Sequence, residues 1–499
     1  MSLTKVLVRA LEKHAPALAE SGRLRIQTLF SRPLAVRSLY PLAHVHPTEA
    51  PGPPDDFVRV WQEQVLVTAA WEPDGGEERL AYALELYVYT LPEQEAALVY
   101  VSKLDTTGYA PRAHTARIRA HLPEPYTHAP SLTSTLTAAA IDYFASRAHW
   151  ADHSVPVQHV SVHVLARSQS AYLFPSSAEH ANKHVLSDAA LIRWWHTCLG
   201  DTVRACQDKA QVDAFYVIPG YQRLDSHTIV PLHSQTSAQN LWHYGHPYSE
   251  KGSGKSAESL PPLPLHAAAW EARRSYMPSS AAMQARTLAT LVPVFPDDPK
   301  GRYMNELCST GHEPGFMPRI NKDHKPSPEH RQAMMERQAL EKVSIEAYWE
   351  QMGFRQECSS GNAVGVFVIC ISAKDACPPA ERKAPEAQTF SLPHPLLPNL
   401  MLEHLQQDAC AWSDVAQAVR LTRHFYEGVH RALRRKGGAH ASAEEYDRLG
   451  EGLLWAHVPL TAVPGDLVAS ATVRAGEVPA ARGAEAPVHV LSVKRRRRT

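Results

Sequence analysis

Residues 292–303 read VPVFPDDPKGRY. An apolar run ends at two prolines that bracket Asp297 and Asp298, and Lys300 and Arg302 follow at once. Neighbouring carboxylates can accept protons or hold a divalent cation through oxygen. The second use would suit a metal-dependent phosphoryl or glycosyl transferase. The same residues also have a plain structural use. Proline disfavours the α region for the residue before it, so Phe295 and Asp298 are expected to be extended. Asp298 then suits a helix N-cap, with Pro299 at the first helical position and a helix over 300–307. Capping requires no chemistry, so this stretch alone does not decide between a cap and a reactive centre.

Other candidate motifs fall away. GSGKS at 252–256 has the ending of a phosphate-binding loop, but Ser249 stands where its first glycine is required and no strand precedes it. RRKGGA at 434–439 matches an R-x-x-G-x-A acetyltransferase pattern, yet it follows a helix where that pattern needs a strand before it. His180 and His184 are four apart in a Ser/Asn-rich stretch with no acidic partner, which is a poor zinc pair in a chain with 28 histidines. The seven cysteines are scattered and never spaced C-x-x-C, the pattern of reduced thiols in a cytosolic or nuclear protein.

The elements that must position these residues are legible in outline. The apolar share of 44% supports a large core, and 51 basic against 51 acidic residues supply no global pull toward nucleic acid or membrane. The N-terminus lacks the apolar stretch of a secretory signal, and no apolar run approaches the length of a membrane span. Segments 80–91 and 96–104, joined by PEQE, read as an antiparallel strand pair; 159–168 and 212–220 read as further strands. Between the last two lies a helix, with Ser187 as N-cap, a Leu186–Leu191 staple and an apolar stripe at 191, 194, 195, 198 and 199. A second long helix is expected after Ser413, ending at Gly437 and Gly438. Pro-, Ser- and charge-rich excursions are expected near 247–266, 314–330, 377–387 and 475–487. The fold expected is mixed α/β: a central mixed β-sheet surrounded by helices, with surface loop insertions, in one domain over 1–493. A basic tail at 494–499 follows, readable as a nuclear-import signal or a solvated end.

Three separated stretches are far more specific together than apart: VSKLDTTGYA (101–110), SAYLFPSSAEHANKHVLSDAALIRWW (170–195) and VPVFPDDPKGRY. Together they resemble the fungus-specific histone acetyltransferase family that modifies lysine fifty-six of histone H3 and shares the fold of the metazoan CREB-binding-protein acetyltransferases. ELYVYTL at 85–91, IPG at 218–220, VSIEAYWEQMGFRQECSSG at 343–361 and a final strand VHVLSV at 488–493 extend the resemblance over almost the whole chain. It implies acetyl-coenzyme A as cosubstrate and no metal. Carried over residue by residue, the cosubstrate contacts are Leu104, Asp105 and Thr106, then Ser131, Leu132, Thr133, Ser134 and Thr135. Leu165, Gln169, His184, Val185, Leu186 and Trp194 follow. Residues 110–129 interrupt the family pattern between the first two groups.

The resemblance also gives the two carboxylates work. A lysine amine, with a pKa of about 10.4, must lose its proton before it can attack a thioester. Asp298 is the expected acceptor or electrostatic guide, Asp297 a supporting charge, and Trp195 with Tyr172 the aromatic walls that desolvate the ammonium. Tyr172 is also the expected hydrogen-bond donor to the oxygen that gains charge. The family matches a self-acetylated lysine at Lys300. Its members act in the nucleus on histone H3–H4 with histone chaperones of the nucleosome-assembly and anti-silencing types. A non-enzymatic chromatin scaffold is the remaining alternative to the two transferase readings.

Overall fold

The structure, a computed structural model, describes residues 1–13, 17–36, 39, 40, 42, 60–92, 95–124, 126, 130–151, 157–230, 242–247, 288–310, 327–355, 362–374, 387, 388, 390–407, 409–436, 444 and 448–477. Its strands are β1 (Gly22–Phe30), β2 (Leu34–Val36), β3 (Val60–Pro73), β4 (Arg79–Leu91), β5 (Ala96–Thr106), β6 (His159–Ala166), β7 (Ala210–Val217), β8 (Trp242–Tyr244), β9 (Gly365–Ala373) and β10 (Trp455–Leu460). The longer helices are α1 (Leu3–Lys13), α2 (Leu132–Ala145), α3 (Asp188–Gln207), α4 (Pro299–Thr310), α5 (Pro328–Glu341), α6 (Ile345–Met352), α7 (Leu396–His404), α8 (Val415–Lys436) and α9 (Gly465–Glu477).

All ten strands join one mixed sheet in the order β10-β1-β3-β4-β5-β6-β9-β7-β8, with β2 on β3. Neighbours are antiparallel except β5–β6 and β7–β8. The mixed sheet flanked by helices agrees with the fold class expected from the sequence. β4 and β5 pair antiparallel as their short PEQE link predicts, and near-continuous runs rich in Tyr, Val and Leu suit a sheet buried on both faces. On one face α1 and α2 pack, tied by Thr4 Oγ1–Thr28 Oγ1 at 2.7 Å and Tyr82 Oη–Thr137 Oγ1 at 3.0 Å. On the other, Thr422 of α8 accepts from the Leu80 N–H at 2.8 Å, and Leu165, Val217 and Val366 meet α4 and α6.

Two features of the sheet create the site. β5 and β6 run parallel and pair only from Ala96–His159 to Val101–Val164, whereas β5 continues to Thr106 bonded to β4 alone. The two strands therefore part at their carboxyl ends. A β-bulge falls at the same level: Leu86 pairs with Val101 but Glu85 with Lys103, leaving Ser102 as the extra residue.

Local expectations are corrected in several places. Ser187 precedes α3 but its side chain caps nothing, and Asp188 Oδ2 instead accepts from the Ala363 N–H at 3.1 Å. The cap of α8 is Asp414, whose Oδ1 accepts from the Gln417 N–H at 2.7 Å, not Ser413. α4 runs to Thr310 rather than 307. Residues 328–330 begin α5 and 475–477 close α9 instead of belonging to loops. The excursions at 247–266 and 377–387, apart from their edge residues, and the expected strand 488–493 and tail 494–499 lie outside the described residues. Among the described residues, no helix is long and apolar enough to cross a membrane, and the five described cysteines are free and buried.

Candidate active site

A cleft of about 670 Å³ opens where β5 and β6 part. Its floor is Leu104, Asp105 and Thr106 from the end of β5, with Ser168 and Gln169 just beyond β6. Ser131 and Thr133 at the start of α2 form one wall. Tyr172, Asn182 to Leu186, Leu191 and Trp194 form the other. Ligands of open α/β sheets commonly bind at such carboxyl ends, where strand termini leave polar backbone unpaired.

Asp105 holds this cleft together. Its Oδ2 accepts from three successive backbone N–H groups, of Tyr172, Leu173 and Phe174, at 2.8, 2.9 and 3.1 Å. Its Oδ1 accepts from the Thr106 N–H and from Lys183 Nζ, both at 2.8 Å. Lys183 also donates to Ser177 Oγ at 2.7 Å, and both charged side chains are buried. Asp105 thus clamps a turn some seventy residues downstream to the end of β5. Hydrogen bonds to charged groups contribute ~1.5–3 kcal/mol each, so the loop is fixed strongly for its length. Gly108 completes the corner: its φ is +96°, and a Cβ there would lie 2.4 Å from His180 Nδ1.

Residues 110–113, read from the sequence as the start of an interruption, are part of the cleft wall. They are anchored by an Ala19–Arg112 backbone hydrogen bond and by Glu20, whose Oε1 accepts from the Arg112 N–H at 2.9 Å. The Arg112 guanidinium stays 70% exposed at the rim, with Glu20 Oε2 at 3.4 Å.

The two carboxylates of the DDP motif differ sharply. Asp298 is the N-cap of α4, with Oδ1 accepting from the Lys300 N–H at 2.9 Å. Its Oδ2 lies 2.6 Å from Lys300 Nζ, and both side chains are buried. Lys300 Nζ stands 5.3 Å from the Phe295 ring centre and 5.8 Å from that of Tyr100; those two rings stack at 4.3 Å. Tyr348 donates its hydroxyl to the Lys300 carbonyl at 3.0 Å. Burial, with the Lys300 ammonium adding to it, pushes His163 well below the ordinary histidine range and His246 down to about 3. Both are neutral at pH 7. Asp297, by contrast, is 82% exposed, has a left-handed φ of 56° and lies 3.7 Å from Lys103 Nζ. Asp298 has both oxygens engaged by Lys300, and among the described residues no three His, Cys, Asp or Glu side chains group as metal ligands.

The structure brings most of the expected contacts to one place. Leu104, Asp105, Thr106, Ser131, Thr133, Gln169, Tyr172, His184, Val185, Leu186 and Trp194 all line the cleft. Ser134 sits behind it, its Oγ accepting from the Trp194 indole at 3.2 Å. Leu132 and Thr135 are buried in α2. Leu165 is turned away: Val164 and Ala166 pack in the core on the cleft side, so alternation sends Leu165 to the opposite face. The expected grouping of Asp298 with Trp195 and Tyr172 is corrected. Trp195 is only 4% exposed and belongs to the core beneath Trp194. The Tyr172 hydroxyl, pushed up to about 12 chiefly by burial, donates to the Arg167 carbonyl. The rings that flank Asp298 and Lys300 are instead Tyr100, Phe295 and Tyr348. Tyr100 falls in the expected strand 96–104, and Phe295 and Tyr348 in the stretches 292–303 and 343–361, but nothing in the sequence groups the three around Asp298.

A profile of the histone acetyltransferase KAT11-type domain matches residues 134–395, just over half of the chain. The histone acetyltransferase rtt109 of Aspergillus flavus is 24% identical over 74% of this chain, and that of Schizosaccharomyces pombe 26% identical over 58%. The matches span only 57% and 56% of those relatives' own lengths. The crystal structure of Rtt109 from Aspergillus fumigatus superposes with a TM-score of 0.58 at 20% identity, covering 93% of this chain and 99% of that one, which is a likeness of fold.

Proposed function

The chain belongs to the histone acetyltransferase KAT11-type family, and from that membership we propose that it transfers the acetyl group of acetyl-coenzyme A to a lysine of histone H3. Lysine fifty-six is the proposed target, on H3–H4 presented by a histone chaperone, and the nucleus the proposed compartment. The observation that carries the reading is the parting of β5 and β6. It leaves a polar cleft on one side of the sheet and a buried carboxylate, Asp298, beside the same strand on the other.

The residues present fit the cosubstrate. Ser131 Oγ accepts from the Ser134 N–H, which leaves the earlier N–H groups of α2 aimed at the cleft for phosphate. Arg112 adds a cation at the rim. The edge of β5 past Val101, unpaired toward β6, offers backbone groups to an amide-rich arm. Acetyl-coenzyme A would supply a thioester carbonyl for the amine to attack. The chain's own work is then to strip water from the incoming ammonium, accept its proton and offer hydrogen bonds to the carbonyl oxygen. Asp298 is the acceptor in this reading, with Tyr100 and Phe295 as the desolvating rings. Its Oδ2 is held by Lys300, so acetylation of Lys300, which removes that charge, would leave Asp298 free to take the substrate's proton. A first-turn cation also opposes the helix dipole by ~0.3–1 kcal/mol, a small term beside the buried Asp298–Lys300 pair that acetylation would break.

Titration calorimetry with acetyl-coenzyme A tests the cleft. Saturable binding that Trp194→Ala weakens is expected, with Asp298→Asn binding normally but turning over far more slowly. Normal turnover by folded Asp298→Asn would leave that residue as a helix cap and nothing more.

A further inference from the structure

Lys103 has no part in the chemistry described so far. Simple alternation along β5 would point it to the same face as Val101, under the helices. The bulge at Ser102 turns it over. Lys103 emerges on the side of Tyr100 and Asp298, while Leu104 turns to the cleft.

Its ammonium donates to Glu85 Oε2 at 2.9 Å and stands 3.7 Å from Asp297 Oδ2. Glu85 is itself fixed: buried, it accepts from Gln64 Nε2 at 2.6 Å and from Ser102 Oγ at 2.8 Å. The other end of the bridge is Asp297, whose left-handed backbone a side-chain-bearing residue holds only under external constraint. Asp297 is joined directly to Asp298. The chain of contacts therefore runs from the sheet interior through one cation to the turn that carries the proposed proton acceptor.

We infer that Lys103 is a positioning residue for acetyl transfer: oriented by Glu85, it pins the Asp297 turn against β5 and so fixes Asp298. The inference rests on the acetyltransferase reading above. Four full-length proteins test it on histone H3–H4 with acetyl-coenzyme A: wild type, Lys103→Met, Asp297→Asn and the double variant, each with a melting curve. Lys103→Met is expected to lower kcat about ten- to a hundredfold, the cost of a displacement of order 1 Å. KM for acetyl-coenzyme A should stay within about twofold of wild type, and Lys103→Arg should restore most of kcat. Added to Asp297→Asn, Lys103→Met should cost little more, because the bridge is already broken. Since Lys103→Met strands Glu85 without its cation, Lys103→Met with Glu85→Gln replaces it if the single variant melts early, and the same coupling is read. Losses that multiply in the double variant, an unchanged kcat, or a kcat that falls only in step with the folded fraction would each overturn the inference. A wild type that transfers no acetyl group would reject the acetyltransferase reading itself, whereas an active wild type with indifferent variants rejects only the role of Lys103.

Discussion

Asp105→Asn is a severe test of how the cleft is built. The substitution keeps shape and removes charge, but an amide has one oxygen where the carboxylate has two. If that oxygen faces Tyr172–Phe174, the amide nitrogen meets Lys183 Nζ and the Thr106 N–H, two donors it cannot accept from. If it faces the other way, three backbone N–H groups lose their acceptor. Either way Lys183 is left buried without a countercharge. Breaking a buried pair on one side costs ~3–5 kcal/mol, and the lost hydrogen bonds are largely contained in that figure. With an unfolding entropy of ~2.1 cal/mol/K per residue over the full chain, the melting temperature should fall by ~3–5 °C. KM for acetyl-coenzyme A should rise more than about tenfold, because the clamped turn and Lys183 both border the cleft. Differential scanning fluorimetry with steady-state kinetics reads both quantities. Adding Lys183→Met should recover part of the lost stability by removing the stranded charge. An Asp105→Asn protein with unchanged melting temperature and KM would refute the clamp.

Arg112→Ala should raise KM for acetyl-coenzyme A about three- to tenfold at low salt and less at high salt, as expected of an exposed cation facing phosphate; salt-independent kinetics would remove Arg112 from the site. Peptide mass spectrometry of protein purified from an expressing cell should find Lys300 acetylated, and an active enzyme with Lys300 wholly unmodified would reject self-acetylation. Burial raises Asp142 to about 6 from an ordinary value near 3.8. Its contribution to stability is therefore full below about pH 4 and lost as pH rises through 6, a change of ~2–3 kcal/mol. Asp142→Asn should flatten that fall in melting temperature between pH 4 and 7, and an identical pH profile in the variant would show that another group carries it.

What the sequence made legible was whatever short-range pattern controls. β4 and β5 were readable because two runs rich in Tyr, Val and Leu flank a short PEQE link. The N-cap at Asp298 was readable from proline chemistry alone. Contacts at long range were not. The clamping role of Asp105 was hidden because four of the five partners of its carboxylate lie 67 to 78 positions away. The bulge at Ser102 leaves no mark in VSKLD, so the direction of Lys103 was invisible. The apolar stripe of α3 assigned Trp194 and Trp195 alike, yet the helix turns one toward the cleft and buries the other. Residues 110–113 appeared to interrupt the site because only the fold brings them back to its wall.

Acetylation of histone lysine by this cleft and Asp298 together is the proposed activity. It is tested most directly by incubating the full-length protein with histone H3–H4 and acetyl-coenzyme A, then weighing the histones. Histone H3 is expected to gain the mass of an acetyl group with the wild type, without added metal and undiminished by a chelator, and Asp298→Asn to abolish most of the gain while still binding acetyl-coenzyme A. Histones of unchanged mass, from protein shown to be folded and to bind acetyl-coenzyme A, with a nucleosome-assembly or anti-silencing chaperone present, would contradict it.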